Sequence, residues 1–375
     1  MNKLKVMTVL GTRPEIIRLS AVIKACDAYF DHVFVHTGQN WDPTLNDIFF
    51  DDLQLRKPDH YLNVVGQHLG ETIGNVIARS YELMERERPD AVLLLGDTNS
   101  ALSAIAAKRL KIPIFHMEAG NRCFDQNVPE ETNRRIVDHI SDVNLPYTEH
   151  SRRYLLAEGI RKEHIFVTGS PMTEVIRDYQ KAIDERDIVD KLGLERNKYF
   201  VLSAHREENL DIDNQLFSLM SAVNEVAEQF GLPIIYTAHP RSLKKLQAKQ
   251  IALHPLVRIH QPFGFLDYNH LQQHAYCVLS DSGTLSEESA ILNFPGVLIR
   301  TSTERPEVLD KGTIVIGGVT GEHLVKSITL AVGIHAQETS SLPSPPDYVD
   351  TNVSNKVVKL IQSYTPIINK VIWNK

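Results

Sequence analysis

Along the chain, short β-rich runs bounded by turn residues alternate with longer segments whose apolar positions recur every three to four residues. The runs of the first half are Val6–Leu10, His32–His36, Ala91–Leu95, Ile114–Met117, Val143–Pro146 and Ile165–Thr168, with helical patterns between them. Such a βαβ series predicts a parallel sheet with helices on both faces. After Gly169-Ser170-Pro171 come a helix and the charged stretch Asp184–Asp187, and then the alternation restarts with Tyr199–Ser203, Ile234–Ala238, Val257–His260, Cys277–Ser280 and Val297–Arg300. The pattern predicts an α/β chain of two doubly wound, Rossmann-like domains, residues 1–170 and 171–351. Three prolines in Glu338–Val349 predict a segment without regular structure, and a last helical pattern begins at Asn352 and runs to about Ser363, within a C-terminal stretch, 352–375, expected to return to the first domain.

Composition narrows the function classes. A length of 375 residues suits two domains, and 42% apolar with 23% charged residues excludes a disordered chain. The net charge of −7, with both signs interleaved, leaves no basic stripe for a nucleic-acid backbone, so any anion is bound locally. Cys26, Cys123 and Cys277 are too few and too far apart for a disulfide framework or a zinc cluster, which fits a reducing compartment. Met1–Lys5 runs straight into the first strand, and no later apolar run approaches the roughly 18 residues of a membrane span, so a cytoplasmic location is expected.

In open parallel sheets ligands bind beyond the carboxyl ends of the strands, and those ends carry the chemistry here. The first strand leads into Gly11-Thr12-Arg13-Pro14-Glu15, with a helix from about Ile16: a glycine, an arginine and a helix N-terminus suit a phosphate, although a plain β–α turn started by Pro14 would look the same. There is no GxGxxG and no Walker lysine. Leu95 leads into Gly96-Asp97-Thr98-Asn99-Ser100 and Met117 into Glu118-Ala119-Gly120-Asn121-Arg122, so two strands each deliver an acid. Asp97 has the alternative of capping a helix near Ser100; Glu118, before a glycine turn, has no such local role. Pro129-Glu130-Glu131 opens another helix, where acids also simply suit the helix dipole.

In the second half Ser203 leads into Ala204-His205-Arg206 and Ala238 into His239-Pro240-Arg241, placing two histidines able to carry a proton at sheet edges. Ser280 leads into Asp281-Ser282-Gly283-Thr284, a hydroxyl-rich turn opening a helix whose amides can cradle phosphate oxygens, with Glu288 one turn on and placed to reach a ribose diol. Thr303-Glu304-Arg305-Pro306 adds a second arginine loop. With no HExxH and no histidine–carboxylate facial set, no metal is assigned, and Asp211-Ile212-Asp213 is too short a match to argue for one.

GTRPEIIR (11–18), GDT (96–98), MEAGNR (117–122), PEETNR (129–134), AHREE (204–208), DSG with EE (281–288) and TERPE (303–307) occur in one order from end to end. In these motifs the chain resembles the non-hydrolysing UDP-N-acetylglucosamine 2-epimerase family. The resemblance implies two Rossmann-like domains facing a cleft, the glycosyltransferase-B architecture, no added cofactor because the chemistry needs no hydride carrier, and inversion at C2 of a UDP-2-acetamido sugar by elimination of UDP and its re-addition. It further implies Asp97, Glu118 and Glu130 as acid–base residues with His205 assisting, and Arg13, Ser282, Gly283, Thr284, Glu288 and Arg305 as UDP ligands, with Tyr268 near the uracil and Arg18 and His239 as further phosphate candidates. A homodimer and a part in capsule or O-antigen synthesis follow from the same likeness.

The DSGTLSEE form of the phosphate loop, with GDTNS and SAHREENL, resembles the branch that makes UDP-N-acetyl-L-fucosamine from UDP-2-acetamido-2,6-dideoxy-L-talose; UDP-N-acetylglucosamine itself is the alternative substrate. Thr37–Asp42 departs from the family stretch that helps bind an activating sugar nucleotide. A glycosyltransferase of the same architecture and a non-catalytic UDP-sugar binder are the rival classes. Both are opposed by the set Asp97, Glu118, Glu130 and His205.

Overall fold

A computed structural model describes residues 3–38, 43–204, 213–238, 240–301, 303–337 and 344–375. The chain divides into two compact units, Met1–Asp178 with Val349–Lys375, and Tyr179–Tyr348. The division falls inside the helix Pro171–Asp184. Near its start, Glu174 accepts from the amide and hydroxyl of Ser354, and near its end Tyr179 stacks edge-on against Phe265.

The first unit holds strands β1 (Lys5–Leu10), β2 (Asp31–His36), β3 (His60–Tyr61), β4 (Ala91–Leu95), β5 (Ile114–Met117) and β6 (Val143–Leu145), in the order β3-β2-β1-β4-β5-β6 with every neighbouring pair parallel. The second holds β7 (Phe200–Ser203), β8 (Ile234–Thr237), β9 (Val257–His260), β10 (Cys277–Ser280), β11 (Gly296–Leu298) and β12 (Val315–Ile316), in the order β12-β11-β10-β7-β8-β9, again parallel throughout. Each sheet is doubly wound in the Rossmann order, so the α/β expectation holds in both halves. The winding reverses between β1 and β4 in one sheet and between β7 and β10 in the other.

Burial explains why these segments are strands. Ala91–Leu95 is buried at every position, as a central strand covered by helices on both faces must be. The helices that cover the sheets contribute apolar faces, as when Val76, Leu83 and Met84 of Leu69–Glu87 join Val92 and Leu94 in one core cluster.

The structure departs from the sequence reading at several boundaries. Ile165–Thr168 is not a strand: only Ile165 bridges to Asn144, although Phe166 and Thr168 donate their amides to the Asn144 and Pro146 carbonyls. Phe166 instead turns its ring onto Tyr364 of the last helix. The first helix begins at Arg13, not Ile16, with Pro14 in its first turn. The last helix runs Val353–Val371, past Ser363 and through Pro366, and packs on the helix Arg13–Tyr29. The proline-rich segment does hold one 3₁₀ turn, Pro346–Tyr348, anchored by the buried Tyr348 hydroxyl on Glu307. Among the described residues no helix is long and apolar enough to cross a membrane.

Candidate active site

The acids named above gather at the carboxyl edge of the first sheet. Register sets them side by side: Leu95 pairs with Met117, and the Gly96 amide continues the ladder to the Met117 carbonyl. Asp97 and Glu118 are therefore the residues at which β4 and β5 open into turns.

Glu118 carries the largest set of constraints. Its backbone lies in the left-handed region at φ 62°, a conformation that costs a side-chain-bearing residue roughly 1–2 kcal/mol. Its side chain is 8% exposed and accepts on one oxygen from Arg18 Nη1 and on the other from Asn121 Nδ2 at 3.2 Å. Asn121 is itself held by Ser151 Oγ at 3.0 Å. Gly120 must be glycine, because its φ is 79° and a Cβ there would stand 2.4 Å from the Ser151 carbonyl oxygen.

Asp97 does not cap the following turn; Thr98 occupies the cap position, and Asp97 Oδ2 accepts from Arg134 Nε at 2.7 Å. Its main-chain carbonyl accepts from Asn133 Nδ2 at 2.9 Å, so the helix Pro129–Ile140 holds this turn twice. Arg134 also reaches Glu131 at 2.9 Å. Within the PEE motif, then, it is Glu131 that is buried and committed to Arg134 and the Cys123 amide, while Glu130 is half-buried one residue earlier.

A buried network lies behind both turns. His116 Nε2 bonds to the Gly96 carbonyl at 2.7 Å, and Nδ1 lies 3.0 Å from Asp138 Oδ1. Asp138 in turn accepts from the Gly120 amide at 3.1 Å and from Arg122 Nη1 at 2.7 Å, and Arg122 forks onto Glu158. Burial disfavours the imidazolium, but the bond to Asp138, its charge and the Gly96 carbonyl outweigh that, raising the His116 pKa above the ordinary histidine value. Each of the two acid-bearing turns thus hangs on one charged, buried cluster.

At the β1 turn Arg13 is half-buried with its guanidinium 5.8 Å from the Phe49 ring centre. Arg18, one turn further, is 6% exposed and engaged by Glu118; the structure ties it to the acid, a pairing that its placement in GTRPEIIR does not reveal. His116, Asp138, Glu131 and Glu15 are the site residues that the sequence reading did not single out. A signal existed for Glu15: Thr12-Arg13-Pro14-Glu15 matches the spacing of a capping box. The box is inverted here, since the Thr12 hydroxyl donates to Glu15 at 2.7 Å and makes no cap bond.

At the carboxyl edge of the second sheet the groups are mostly hydroxyls. Ser282 Oγ and Thr284 Oγ1 are 2.9 Å apart across Gly283, at the start of the helix Thr284–Leu292. The Ser282 amide is fixed by Ser280 Oγ at 3.0 Å, and the amide of Asp281 by the Ser203 carbonyl at 3.1 Å, which carries the β7–β10 ladder one residue past the Ser280–Ser203 pair. Glu288 is 6% exposed and accepts from Gln272 Nε2 at 2.9 Å. Tyr268, half-buried, bonds to Ser203; burial first, and the Glu288 carboxylate second, raise its hydroxyl pKa. Arg305 is 1% exposed, with Nη2 3.2 Å from Glu287. His205 and His239 lie outside the described residues, as do Gln39–Asp42, Asp211 and Ile212. Among the described residues no group of His, Cys, Asp and Glu is arranged to hold a metal ion.

The family model described as UDP-N-acetylglucosamine 2-epimerase matches residues 24–362. A Methanococcus maripaludis protein named UDP-N-acetylglucosamine 2-epimerase is 36% identical over 332 residues, covering 86% of this chain and 90% of its own. A Pseudomonas aeruginosa UDP-2,3-diacetamido-2,3-dideoxy-D-glucuronate 2-epimerase is 32% identical over 343 residues, covering 90% and 95%. Among solved structures, a UDP-N-acetylglucosamine 2-epimerase from Rickettsia bellii superposes with a TM-score of 0.91 at 45% identity, covering 100% of both chains. With the strand-end acids, the doubly wound sheets and these matches in agreement, the chain belongs to the UDP-N-acetylglucosamine 2-epimerase family and is an isomerase of UDP-sugars.

Proposed function

We propose that the protein inverts C2 of a UDP-2-acetamido sugar without hydrolysing it. A base removes the C2 proton while the C1–O bond breaks and UDP leaves with the bonding pair, giving a 2-acetamidoglycal. UDP then returns to C1 as an acid delivers a proton to the opposite face of C2. The step needs a base, a separate acid and strong charge stabilisation on departing UDP. Asp97, Glu118 and Glu130 supply the proton chemistry with His205. Arg13, Ser282, Gly283, Thr284, Glu288, Tyr268 and Arg305 serve UDP, with His239 as a further phosphate contact. Arg18, read from sequence as a phosphate candidate, acts on this reading through Glu118.

The observation that carries the proposal is the pair of carboxylates at adjoining strand ends, each set by its own arginine: Glu118 with Arg18 and Asp97 with Arg134. A binding protein has no use for two acids so placed, one of them on a left-handed backbone.

For the sugar, the loop Asp281–Glu288 favours UDP-2-acetamido-2,6-dideoxy-L-talose, giving UDP-N-acetyl-L-fucosamine for surface polysaccharide. UDP-N-acetylglucosamine is the second reading, favoured by the names of the Methanococcus and Rickettsia relatives. On the same proposal the enzyme works in the cytoplasm as a homodimer. Incubation of both substrates in D₂O, read by proton NMR couplings at C1 and C2, tests the reaction and the choice of sugar. Deuterium at C2 with inverted couplings in one substrate is the expected result. Turnover without deuterium at C2 would sink the epimerase mechanism, and release of free sugar would replace it with a hydrolytic one.

A further inference from the structure

Glu15 is 2% exposed and takes hydrogen bonds on both carboxyl oxygens. Oε2 accepts from the Gly11 amide at 3.0 Å and the Thr12 hydroxyl at 2.7 Å, and Oε1 from Ser100 Oγ at 2.8 Å and Thr98 Oγ1 at 3.1 Å. All four partners are neutral. Gly11 and Thr12 leave β1, whereas Thr98 and Ser100 follow β4, 83 and 85 residues further along the chain. One carboxyl group thereby ties the turn that carries Arg13 to the turn that carries Asp97, across the point where the first sheet reverses its winding.

Proton counting says which form does this. The hydroxyls of Thr98 and Ser100 touch each other as well as Oε1, giving three oxygen–oxygen contacts. Two hydroxyl protons fill two of them; in the carboxylic acid form Oε1 donates to one hydroxyl, accepts from the other, and so fills the third, whereas the ionised form leaves the Thr98–Ser100 contact without a proton when Oε1 accepts from both. Burial acts in the same direction, pushing the group up to about 7 against the opposing bonds from Thr12, Ser100, Gly11 and Thr98.

We propose, resting on the acid–base reading of Asp97, that Glu15 is a positioning residue that latches the Asp97 turn to the Arg13 turn. It touches no reacting atom; it fixes where the acid stands relative to the charge that meets the diphosphate. A glutamine can do the same work. Its carbonyl oxygen accepts from Gly11 and Thr12, and its amide donates to the hydroxyl oxygens of Thr98 and Ser100.

The test compares wild type, Glu15→Gln, Glu15→Ala, Ser100→Ala and the double variant Glu15→Ala/Ser100→Ala, all full-length. C2 deuterium incorporation is followed across UDP-sugar concentration, with UDP binding by calorimetry and thermal melting alongside. Glu15→Ala is expected to lower kcat about 100-fold, the size that follows from a catalytic group misplaced by about 1 Å, with KM and UDP affinity within about threefold. Glu15→Gln recovers most of that loss. Ser100→Ala gives a smaller loss that disappears in the Glu15→Ala background, as coupled partners require. Retention of wild-type kcat in Glu15→Ala overturns the latch, and so do equal losses in the Gln and Ala variants or additive losses with Ser100. If the Ala variant does not fold, an unchanged kcat in a folded Ser100→Ala overturns it instead. A wild type that binds UDP but exchanges no deuterium on either sugar removes the acid–base reading and the latch with it, whereas exchange in wild type that survives in Glu15→Ala removes the latch alone.

Discussion

The carboxyl edge between β1 and β4 and the edge between β7 and β10 occupy the same topological position in two sheets of the same strand order, yet they are furnished in opposite ways. The first is dense in ion pairs, all buried but for the half-buried Asp97: Arg18 with Glu118, Arg134 with Asp97 and Glu131, and His116 and Arg122 with Asp138. The second presents Ser282, Thr284, Tyr268 and an amide-held Glu288 around a helix start, with the buried ion pairs Arg305 with Glu287 and Arg300 with Glu304, whose arginines lie apart from those hydroxyls in sequence. Topology decides where a ligand can sit; residue types decide what happens to it. Fixed, oppositely charged groups suit a site where charge moves during reaction. Hydroxyls and a helix start suit a polyanion that stays chemically intact.

If that division is right, losses at the first edge fall on kcat and losses at the second on affinity. The sharpest test is Glu118→Gln, expected to lower kcat by about 10²–10⁴-fold with little change in KM, measured by C2 exchange at saturating substrate. Full turnover in this variant would strip Glu118 of its role. Next in size, Arg18→Met should destabilise the fold by about 3–5 kcal/mol in urea titrations, because it leaves the Glu118 carboxylate buried without its cation. Adding Glu118→Gln to it should restore part of that stability.

A third test concerns pH. The Glu15 carboxyl has an ordinary value of 4.5 and a folded value of about 7, so the folded state binds more protons between these limits. Stability is then fully present below the lower value and falls as pH rises towards and past the upper one. Relative to Glu15→Gln, wild type should lose about 3 kcal/mol between pH 4.5 and pH 8 in chemical denaturation. A constant difference between the two proteins would mean that Glu15 is ionised when folded. The smallest expected effect is at the second edge: Glu288→Gln should weaken UDP binding by about tenfold while leaving kcat at saturation nearly intact. A kcat loss there as large as that of Glu118→Gln would erase the contrast between the edges.

Much of this was legible in the sequence because the signals are local. Continuous apolar runs such as Ala91–Leu95 mark central strands, and the residues just after them mark the edges. β3 and β12 escaped because two residues are too few to show a pattern, and their pairing depends on the neighbouring strand. Ile165–Thr168 has strand composition, but only Ile165 finds a bridge partner. The last helical pattern fades near Ser363, yet the helix continues through Pro366 to Val371. The partners within the site were less legible than its members. Arg18 and Glu118 are 100 residues apart, and nothing near either residue names the other. Likewise Glu131 and Glu130 are indistinguishable in a PEE motif until the helix turns one of them towards Arg134.

The left-handed backbone of Glu118 also bears on how this position behaves under selection. Glycine or asparagine would relieve about 1–2 kcal/mol of strain but leave the buried Arg18 without its carboxylate, at about 3–5 kcal/mol, so screening for heat resistance alone does not reward that single replacement. Only a paired change, the acid to asparagine together with Arg18 to an apolar residue, removes strain and charge at once, so laboratory evolution towards a hardier protein must take two steps to reach an inert one.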